Sequence, residues 1–420
     1  MQLTVEAGSL RRRLAAATAA LLGTSSAAQA AEFRTGLLFY SEFDRVTAFE
    51  AAGLVRKAAH PKLDFELGLT VDILTGASPN GATRSDQAQT FTRPSGRGTF
   101  VTPAGHTPLD DTFQDNRGAL TLDGSWTPRP GSRVEAGGAG SLEYDYRSLA
   151  LRGAVEQDAF SRNTTFRLAV SHAWDTLYPE GGIPVPFAPM LARGVPPLRM
   201  GSSDHKTVLD VVAGVTQVLS PTALGQISYS RSENRGYLGD PFKFTAQVFP
   251  EGHPEAGRPG AYLYENRPRA RTQHAVFAEW RQHWGSLITQ VSYRLAWDDW
   301  DLVSHTTDFK VRIPTGWLTV EPHLRFYRQS GVSFFRLSHT DGEPLPDFST
   351  PDTRQGPMTA LTAGFRVDPG MALPHWSFRV EAYLQRGDEP SGKIGVQNSH
   401  TLYPAVGAVI AQVSYAFEGW

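Results

Sequence analysis

The 420-residue chain contains no cysteine, which excludes disulfide bonds, thiolate metal sites and cysteine-based catalysis. Its formal charge is only −2 at pH 7, so it lacks the basic excess that holds nucleic acid, and no nucleic-acid partner is expected. Beyond the N-terminal region it also lacks any uninterrupted apolar run of about 18 residues, which excludes a helical membrane anchor there. A chain of this length forms two or three soluble domains or one large barrel.

The first thirty residues have the three parts of a secretory signal peptide. Three consecutive arginines form a positive region, an alanine-rich apolar stretch follows them, and Ala28-Gln29-Ala30 is a small-x-small cleavage site. We therefore predict a signal peptide at residues 1–30 and an exported mature domain at residues 31–420.

Apolar and polar residues alternate with a period of two along most of the mature chain. In the clearest segment, Leu287, Val291 and Leu295 share one face, and Gln290 and Arg294 share the other. Membrane strands need about 9–11 residues, whereas strands of soluble proteins most often have about 5–6, and the segments here are mostly of the longer kind. The fold class predicted is therefore all-β, a single transmembrane antiparallel β-barrel of about sixteen strands, with fourteen possible.

The predicted strands are bounded by turn residues. Their approximate spans are Phe33–Ser41, Val46–Arg56, Lys62–Leu74, Asp115–Trp126, Arg133–Tyr144, Arg147–Asp158, Asn163–Trp174, His205–Leu219, Thr222–Ser232, Gln273–Trp284, Leu287–Asp298, Leu302–Arg312, Trp317–Arg328, Met358–Val367, His375–Gln385 and Val406–Phe417. The barrel must close, because lipid offers no partner to the backbone groups of an open sheet edge.

The connections between these strands test the topology independently. If the direction alternates from a periplasmic start, all the long connections fall on the extracellular side and all the periplasmic turns are short, as in outer-membrane barrels. The predicted long loops are residues 75–114, 175–204, 233–272, 329–357 and 386–405. Aromatic residues near the strand ends predict girdles at the two membrane interfaces: Trp126, Tyr144, Trp174, Trp280, Trp284, Trp297, Trp300, Trp317 and Trp376.

These features predict a location in the outer membrane of a Gram-negative bacterium. Val409, Val413 and Phe417 alternate in a C-terminal strand of the kind that the barrel assembly machinery recognises, although Trp420 is out of phase with it. The expected partners are outer-membrane lipid and lipopolysaccharide on the apolar face, and this machinery at the last strand.

Several motifs resemble those of a bacterial family catalogued as domain of unknown function 3570 (DUF3570). They are Tyr40–Arg45, Leu74–Thr83, Gln89–Gly96, Thr107–Phe113, Glu143–Tyr146, Arg162–Thr165 and Gly181–Pro184. The resemblance runs over nearly the whole mature chain and implies an outer-membrane barrel without an assigned reaction. Members encoded near a flavin transferase and a small lipoprotein imply a possible redox or lipoprotein partner, but they assign no residue a role.

Charged residues on the polar faces are the candidate lumen or constriction residues. They are Asp72, Glu143, Asp145, Arg167, Arg294, His323, Arg325, Arg366 and Arg379, with Asp110 and Asp111 in the first long loop. Opposite charges in a lumen select solutes, or they form cross-strand ion pairs that hold the wall rigid, which is the interpretation favoured here. His323 is expected to be a hydrogen-bonding wall residue. Asp110, Asp111 and Asp115 could bind Ca²⁺, although a solvated loop is expected instead.

The loop at residues 75–114 is long enough to have a function, and we expect it to fold inward or form a lid, against the alternative of a flexible surface loop. No motif for a nucleophile elbow, a P-loop or a dinucleotide site occurs, so neither a catalytic residue nor a cofactor is assigned. Three functions remain open. The first is a channel for small solutes; the second is a sleeve or docking partner for a redox or lipoprotein component. The third is a barrel enzyme, which would need His172 or His305 beside a serine and a carboxylate.

Overall fold

The computed structural model describes residues 31–43, 45–94 and 96–418, without the side chains of residues 77, 78, 111–113 and 418. The predicted signal peptide, residues 1–30, and Trp420 lie outside these described residues. Within them, no helix is both long and apolar enough to cross a bilayer.

Sixteen antiparallel strands form a closed barrel in which each strand pairs with its neighbours in the sequence and the last pairs with the first, so the predicted fold is confirmed. The strands are β1 (Ala31–Glu42), β2 (Val46–His60), β3 (Leu63–Pro79), β4 (Leu109–Arg129), β5 (Ser132–Leu142), β6 (Tyr146–Ala159), β7 (Thr164–Leu177), β8 (Asp204–Ser220), β9 (Ala223–Gly236), β10 (Ala270–Trp284), β11 (Leu287–Asp298), β12 (Val303–Pro314), β13 (Thr319–Gln329), β14 (Met358–Asp368), β15 (Trp376–Gly387) and β16 (Val406–Glu418).

The alternation of side chains sorts them between the two faces of the wall. Val291, Phe309 and Leu324 are register partners on β11, β12 and β13, and each is 43–47% exposed on the outer face. The next positions, Ser292 and Asp308, point to the inside. The outer face is therefore apolar and suited to lipid, and the inner face is polar.

The aromatic girdles are present, with one correction. Trp174, Trp280 and Trp284 are 45–60% exposed on the outer face, as expected of interface residues. Trp300 is only 4% exposed and packs in the connection after β11, with its indole nitrogen donating to the carbonyl of Ala270 at 2.9 Å. Its assignment to a girdle was wrong, because its position near a strand end does not reveal the loops that cover it.

The two ends of the barrel differ in their connections. One end has only short turns, at residues 61–62, 130–131, 160–163, 221–222, 285–286, 315–318 and 369–375. The other end carries three short connections, at 43–45, 143–145 and 299–302, and five long ones, at 80–108, 178–203, 237–269, 330–357 and 388–405. At most of their ends, the long connections begin later or finish earlier than the predicted loops. The reason is that β3, β4 and several other strands extend beyond their predicted limits.

The five long connections have secondary structure of their own, and together we call them the cap. Phe244–Val248 pairs with Pro259–Tyr264 and with Ser338–Thr340 in a three-stranded sheet. Gln89–Thr92 pairs with Thr99–Thr102, and Ile183–Pro184 pairs with Arg199–Gly201. Short 3₁₀ helices lie at Thr353–Gln355 and Gly395–Ser399 in the cap, and a third lies at Gly370–Ala372 in a short turn.

Candidate functional site in the barrel lumen

Apart from Asp110 and Asp111, seven of the candidate residues lie on strands, and all seven occupy inward-facing positions of the register. They are Asp72, Arg167, Arg294, His323, Arg325, Arg366 and Arg379. They do not form one cluster. Most of them belong to ion pairs between strands. These ion pairs form two ladders, which lie on opposite parts of the barrel wall.

The first ladder of ion pairs covers the wall from β3 to β7. Arg117 donates to Asp72 at 2.8 Å, and Arg152 forms a two-point ion pair with Asp123. Arg167 contacts Glu135 at 2.7 Å and also pairs with Glu156. Because each cation here is matched by a carboxylate, this wall has the features of a rigid structural ladder.

The second ladder centres on His323 in β13, which is 8% exposed. Its Nδ1 lies 2.7 Å from a carboxylate oxygen of Glu381, and its Nε2 lies 3.1 Å from one of Asp308. Arg325 donates to the same Asp308 at 2.7 Å, and Arg379 lies 3.8 Å from Glu381. His323 therefore sits in the wall as a hydrogen-bonded member of a charged network.

The ladder continues toward the end that has the short turns. There Arg366 donates to Asp368 at 2.8 Å, and Arg312 lies 3.1 Å from the same carboxylate. Arg366 is thus a further wall residue whose charge is already matched.

The predicted acidic candidates near the other end are placed differently. Glu143 and Asp145 were predicted on one face of a strand, but β5 ends at Leu142 and both residues lie in the tight connection that follows it. In this connection the Glu143 amide donates to the carbonyl of Tyr146 at 2.8 Å. Asp110 lies in β4 rather than in a loop, and the side chain of Asp111 is outside the described part of the chain. Among the described residues no group of three or more His, Asp or Glu side chains could hold a metal ion.

The environment of Glu143 changes its titration. Burial, together with the nearby charge of Asp115, raises the pKa of Glu143 from its usual 4.5 to about 7. Burial and the same aspartate also raise the pKa of Asp145. Glu143, in a short connection at the end of the barrel that carries the cap, therefore changes charge near neutral pH.

The cap has a buried charged centre that the sequence did not suggest. Arg267 is 7% exposed and contacts Glu265 at 2.7 Å and Asp352 at 2.9 Å, whose side chains are each 2% exposed. Arg354 pairs with Asp352 at 2.7 Å and with Asp240 at 3.0 Å. These ion pairs join the connections at 237–269 and 330–357.

Burial acts on the two carboxylates of this centre in different ways. It raises the pKa of Glu265 despite the opposing charge of Arg267. Burial alone would also raise the pKa of Asp352, but the hydrogen bond and charge of Arg354, with the charge of Arg267, hold it well below its usual range. No local motif could have shown that these residues form one centre, because Arg267 and Asp352, which join its two halves, are 85 positions apart in the sequence.

The connection at 80–108 packs against the rest of the cap. Phe91 is fully buried, and its ring lies 4.8 Å from that of Tyr262 and 5.2 Å from that of Phe100. Asp86 forms a two-point ion pair with Arg258, at 2.7 and 2.9 Å. This connection is therefore part of a multi-loop lid, as its length suggested, and has an ordered fold.

Four cavities lie inside the barrel and under the cap. A cavity of 410 Å³ shares Ser171 and Asp210 with one of 670 Å³. The 670 Å³ cavity shares Tyr327 and Arg354 with a cavity of 800 Å³. The 800 Å³ cavity in turn shares Arg354 and Lys243 with a cavity of 320 Å³. Arg354 thus lines three successive cavities, and 67% of its side chain is exposed to solvent.

The histidines of the enzyme hypothesis are on the outer face. The ring of His172 lies 4.4 Å from that of Trp174, and the Nδ1 of His305 lies 2.6 Å from the hydroxyl of Tyr293. Within the part of the chain that the structure describes, neither histidine hydrogen-bonds to a serine or a carboxylate.

Comparison with known proteins gives one sequence match and several structural ones. A family described as "Protein of unknown function (DUF3570)" matches residues 10–417. No curated protein matches the chain in sequence.

Three of the solved structures to which the chain is similar come from Pseudomonas aeruginosa. A mutant of the ferric enterobactin receptor PfeA is 11% identical with a TM-score of 0.43, covering 93% of this chain and 60% of the receptor, so this chain spans about 60% of its length. OccK3 (OpdO) is 6% identical with a TM-score of 0.42, covering 93% and 96% of the two chains. The outer membrane protein opdK is 8% identical with a TM-score of 0.40, covering 93% and 99%.

Proposed function

This chain belongs to the DUF3570 family, whose function is unknown, and we propose that it is a capped, water-filled channel for small solutes in the outer membrane. The barrel is an outer-membrane β-barrel, with an apolar outer face and a polar lumen. Sixteen strands enclose a lumen too wide for side chains alone to fill, and porins of similar strand number keep an aqueous channel.

The observation that carries the proposal is the series of cavities through the lumen. The cavities of 410, 670, 800 and 320 Å³ share lining residues from one to the next, and most of these residues are polar. Such a series supports a path for water and small solutes between the end with short turns and the cap.

The cap is the proposed constriction of this path. Arg354 reaches from the cap into three cavities, and Asp352 and Asp240 hold its guanidinium in place. A guanidinium held by two carboxylates keeps a fixed position, so Arg354 is the constriction residue of the proposal.

Conductance in planar bilayers tests the proposal directly. We expect the refolded protein to give single-channel conductance, and Arg354→Ala to increase it because the constriction widens. Arg336→Ala is the matched control, since this exposed arginine of the same connection hydrogen-bonds, among the described residues, only to nearby backbone carbonyls. If wild-type protein and Arg354→Ala are both silent, the channel proposal fails, and a sleeve or docking role becomes the better one.

The absence of cysteine allows a second test of the water path. Ser230→Cys places a thiol in the 670 Å³ cavity, whereas Tyr229→Cys places one on the outer face. In vesicles, a charged methanethiosulfonate reagent should modify the first thiol and reduce conductance, and it should leave the lipid-facing thiol unmodified. Equal reactivity of the two thiols would contradict a water-filled lumen.

A further inference from the structure

Arg294 in β11 differs from every other arginine on the inner face of the strands. Its position faces the lumen and its side chain is exposed there, yet it has no carboxylate within ion-pair distance in the described part of the chain. The other inward-facing strand arginines all have a carboxylate within 4.0 Å: Arg34, Arg56, Arg117, Arg133, Arg152, Arg167, Arg271, Arg281, Arg312, Arg325, Arg366 and Arg379.

This exception lies in a cavity that is large enough for a solute. Arg294 lines the cavity of 670 Å³, which is within the range of about 300–1,000 Å³ that small-molecule sites have. The carboxylates that line this cavity are Asp210 and Asp298. Asp298 is occupied by Arg271 at 2.5 Å, so it is not available to Arg294.

The other arginines of the lining, Arg231, Arg271 and Arg354, are each paired with a carboxylate. The uncharged polar groups of the lining suit hydroxyl groups. Four serines and three glutamines line the same cavity: Ser171, Ser230, Ser232, Ser304, Gln273, Gln329 and Gln355. Serine hydroxyls and glutamine amides both donate and accept hydrogen bonds, so they match the hydroxyls of a polyol chain. The unpaired guanidinium is a planar fork of donors that matches a carboxylate.

From these groups we propose that the cavity binds a small solute with one carboxylate and several hydroxyl groups, and that Arg294 receives the carboxylate. Asp210, which hydrogen-bonds to Ser171 at 3.2 Å and has no ion-pair partner in the described residues, lies on the wall of the same cavity. Its charge repels a second carboxylate on the solute, so monoanions bind better than dianions. This inference deepens the proposed channel function by naming the solute class.

Equilibrium binding tests the binding site without requiring conductance, so the proposed site and the proposed channel can be rejected independently. The complete barrel, refolded in detergent, is titrated calorimetrically with gluconate, glucose and the dianion glucarate. We expect gluconate to bind more tightly than either of the others. Arg294→Gln should weaken gluconate binding by about tenfold or more, the effect of losing a charge-assisted hydrogen-bonded pair, and should leave any glucose binding unchanged.

Two further variants make the result specific to this residue. Arg281→Gln removes an inward-facing arginine that is already paired with Glu279 at 2.7 Å, and it should bind gluconate like the wild type. Arg294→Lys keeps the charge but loses the fork, so its affinity should be intermediate, and it replaces the glutamine variant if that one does not fold. Absence of gluconate binding to the wild type, or equal affinity in wild type, Arg294→Gln and Arg294→Lys, overturns the proposal.

Discussion

His323 and Glu381 hydrogen-bond at 2.7 Å although they belong to strands that are not neighbours. The strand between them contributes Gly364, which is the register partner of both. The same arrangement recurs where Asp123 and Arg152 pair across Gly137. Because glycine has no side chain, it leaves space on the inner face. In that space the charged side chains of the two strands on either side of the glycine's strand can meet.

Gly364→Ala should therefore destabilise the barrel. A Cβ atom at this position would lie 2.6 Å from the Cα and 2.7 Å from the Cγ of Glu381, which is too close for any real contact. We expect a loss of about 1–3 kcal/mol in the free energy of unfolding, as for other overpacked sites. Urea titration in micelles measures it.

Gly118→Ala is the matched control for this substitution. Gly118 also lies in a barrel strand, but a Cβ atom there meets nothing within 4 Å. Its stability should match the wild type or exceed it. An equal loss of stability in both variants would mean that strand glycines stabilise the barrel through their backbone conformation, and not through the space that they leave.

The strands and their faces could be predicted from the sequence because lipid and water select opposite side chains at successive positions. Arg294 and His323 were placed on the inner face in this way, and both lie there. The pattern does not show which cations find partners, because pairing depends on the register of strands two apart. That is why Arg294 was grouped with arginines of the ladder although it has no ion pair among the described residues.

The cap could not be predicted, because its contacts join distant connections. Arg267 meets Asp352 from a position 85 residues away, and Asp86 meets Arg258 from 172 residues away. Segments rich in glycine, proline and polar residues carry no periodic signal for such contacts. Only the length of the first long loop indicated that it was more than a linker.

Glu143 should make stability depend on pH near neutrality. Its pKa of about 7 in the folded protein is above the usual 4.5, so its contribution to stability is present below pH 4.5 and is lost as the pH rises through 7. Glu143→Gln should remove this part of the pH dependence, on the order of 1 kcal/mol after solvent screening. Unfolding free energies measured in urea at pH 5, 6, 7 and 8 test it.

Glu343→Gln is the control for the pH series, since this glutamate is exposed in a connection of the cap, away from Glu143 in the sequence. It should keep the pH profile of the wild type. If Glu143→Gln keeps the same profile as well, the raised pKa of Glu143 does not contribute to stability.

Trp300 should be an anchor of the cap, unlike the tryptophan three residues before it. The guanidinium of Arg271 lies 4.3 Å from the Trp300 ring centre, and the ring of Phe334 lies 5.1 Å away. Trp300→Ala should cost about 3–5 kcal/mol, in the range for a buried aromatic. Trp297→Ala, at a position 36% exposed on the outer face, should cost clearly less. Urea titrations of the two variants compare them, and equal losses would contradict the anchoring role.

The two buried carboxylates of the cap should respond differently to removal of their charge. Asp352 has a lowered pKa, so its ionised form stabilises the cap at every pH above its usual range, and this contribution is lost only in strong acid. Glu265 has a raised pKa, so its contribution is largest when it is protonated and decreases as the pH rises through its folded value. Asp352→Asn should therefore loosen the cap at neutral pH much more than Glu265→Gln.

Hydrogen exchange of Phe244–Val248, a buried strand of the cap sheet, reports this loosening locally. In Asp352→Asn these amides should exchange about tenfold faster or more, because Arg267 and Arg354 lose a buried ion-pair partner. In Glu265→Gln the change should be less than about threefold, since burial already disfavours the charge that is removed. The amides of Val291 and Phe309 in the barrel wall should be unaffected by either substitution. Faster exchange in Glu265→Gln than in Asp352→Asn would show that Glu265, and not Asp352, holds the two connections together.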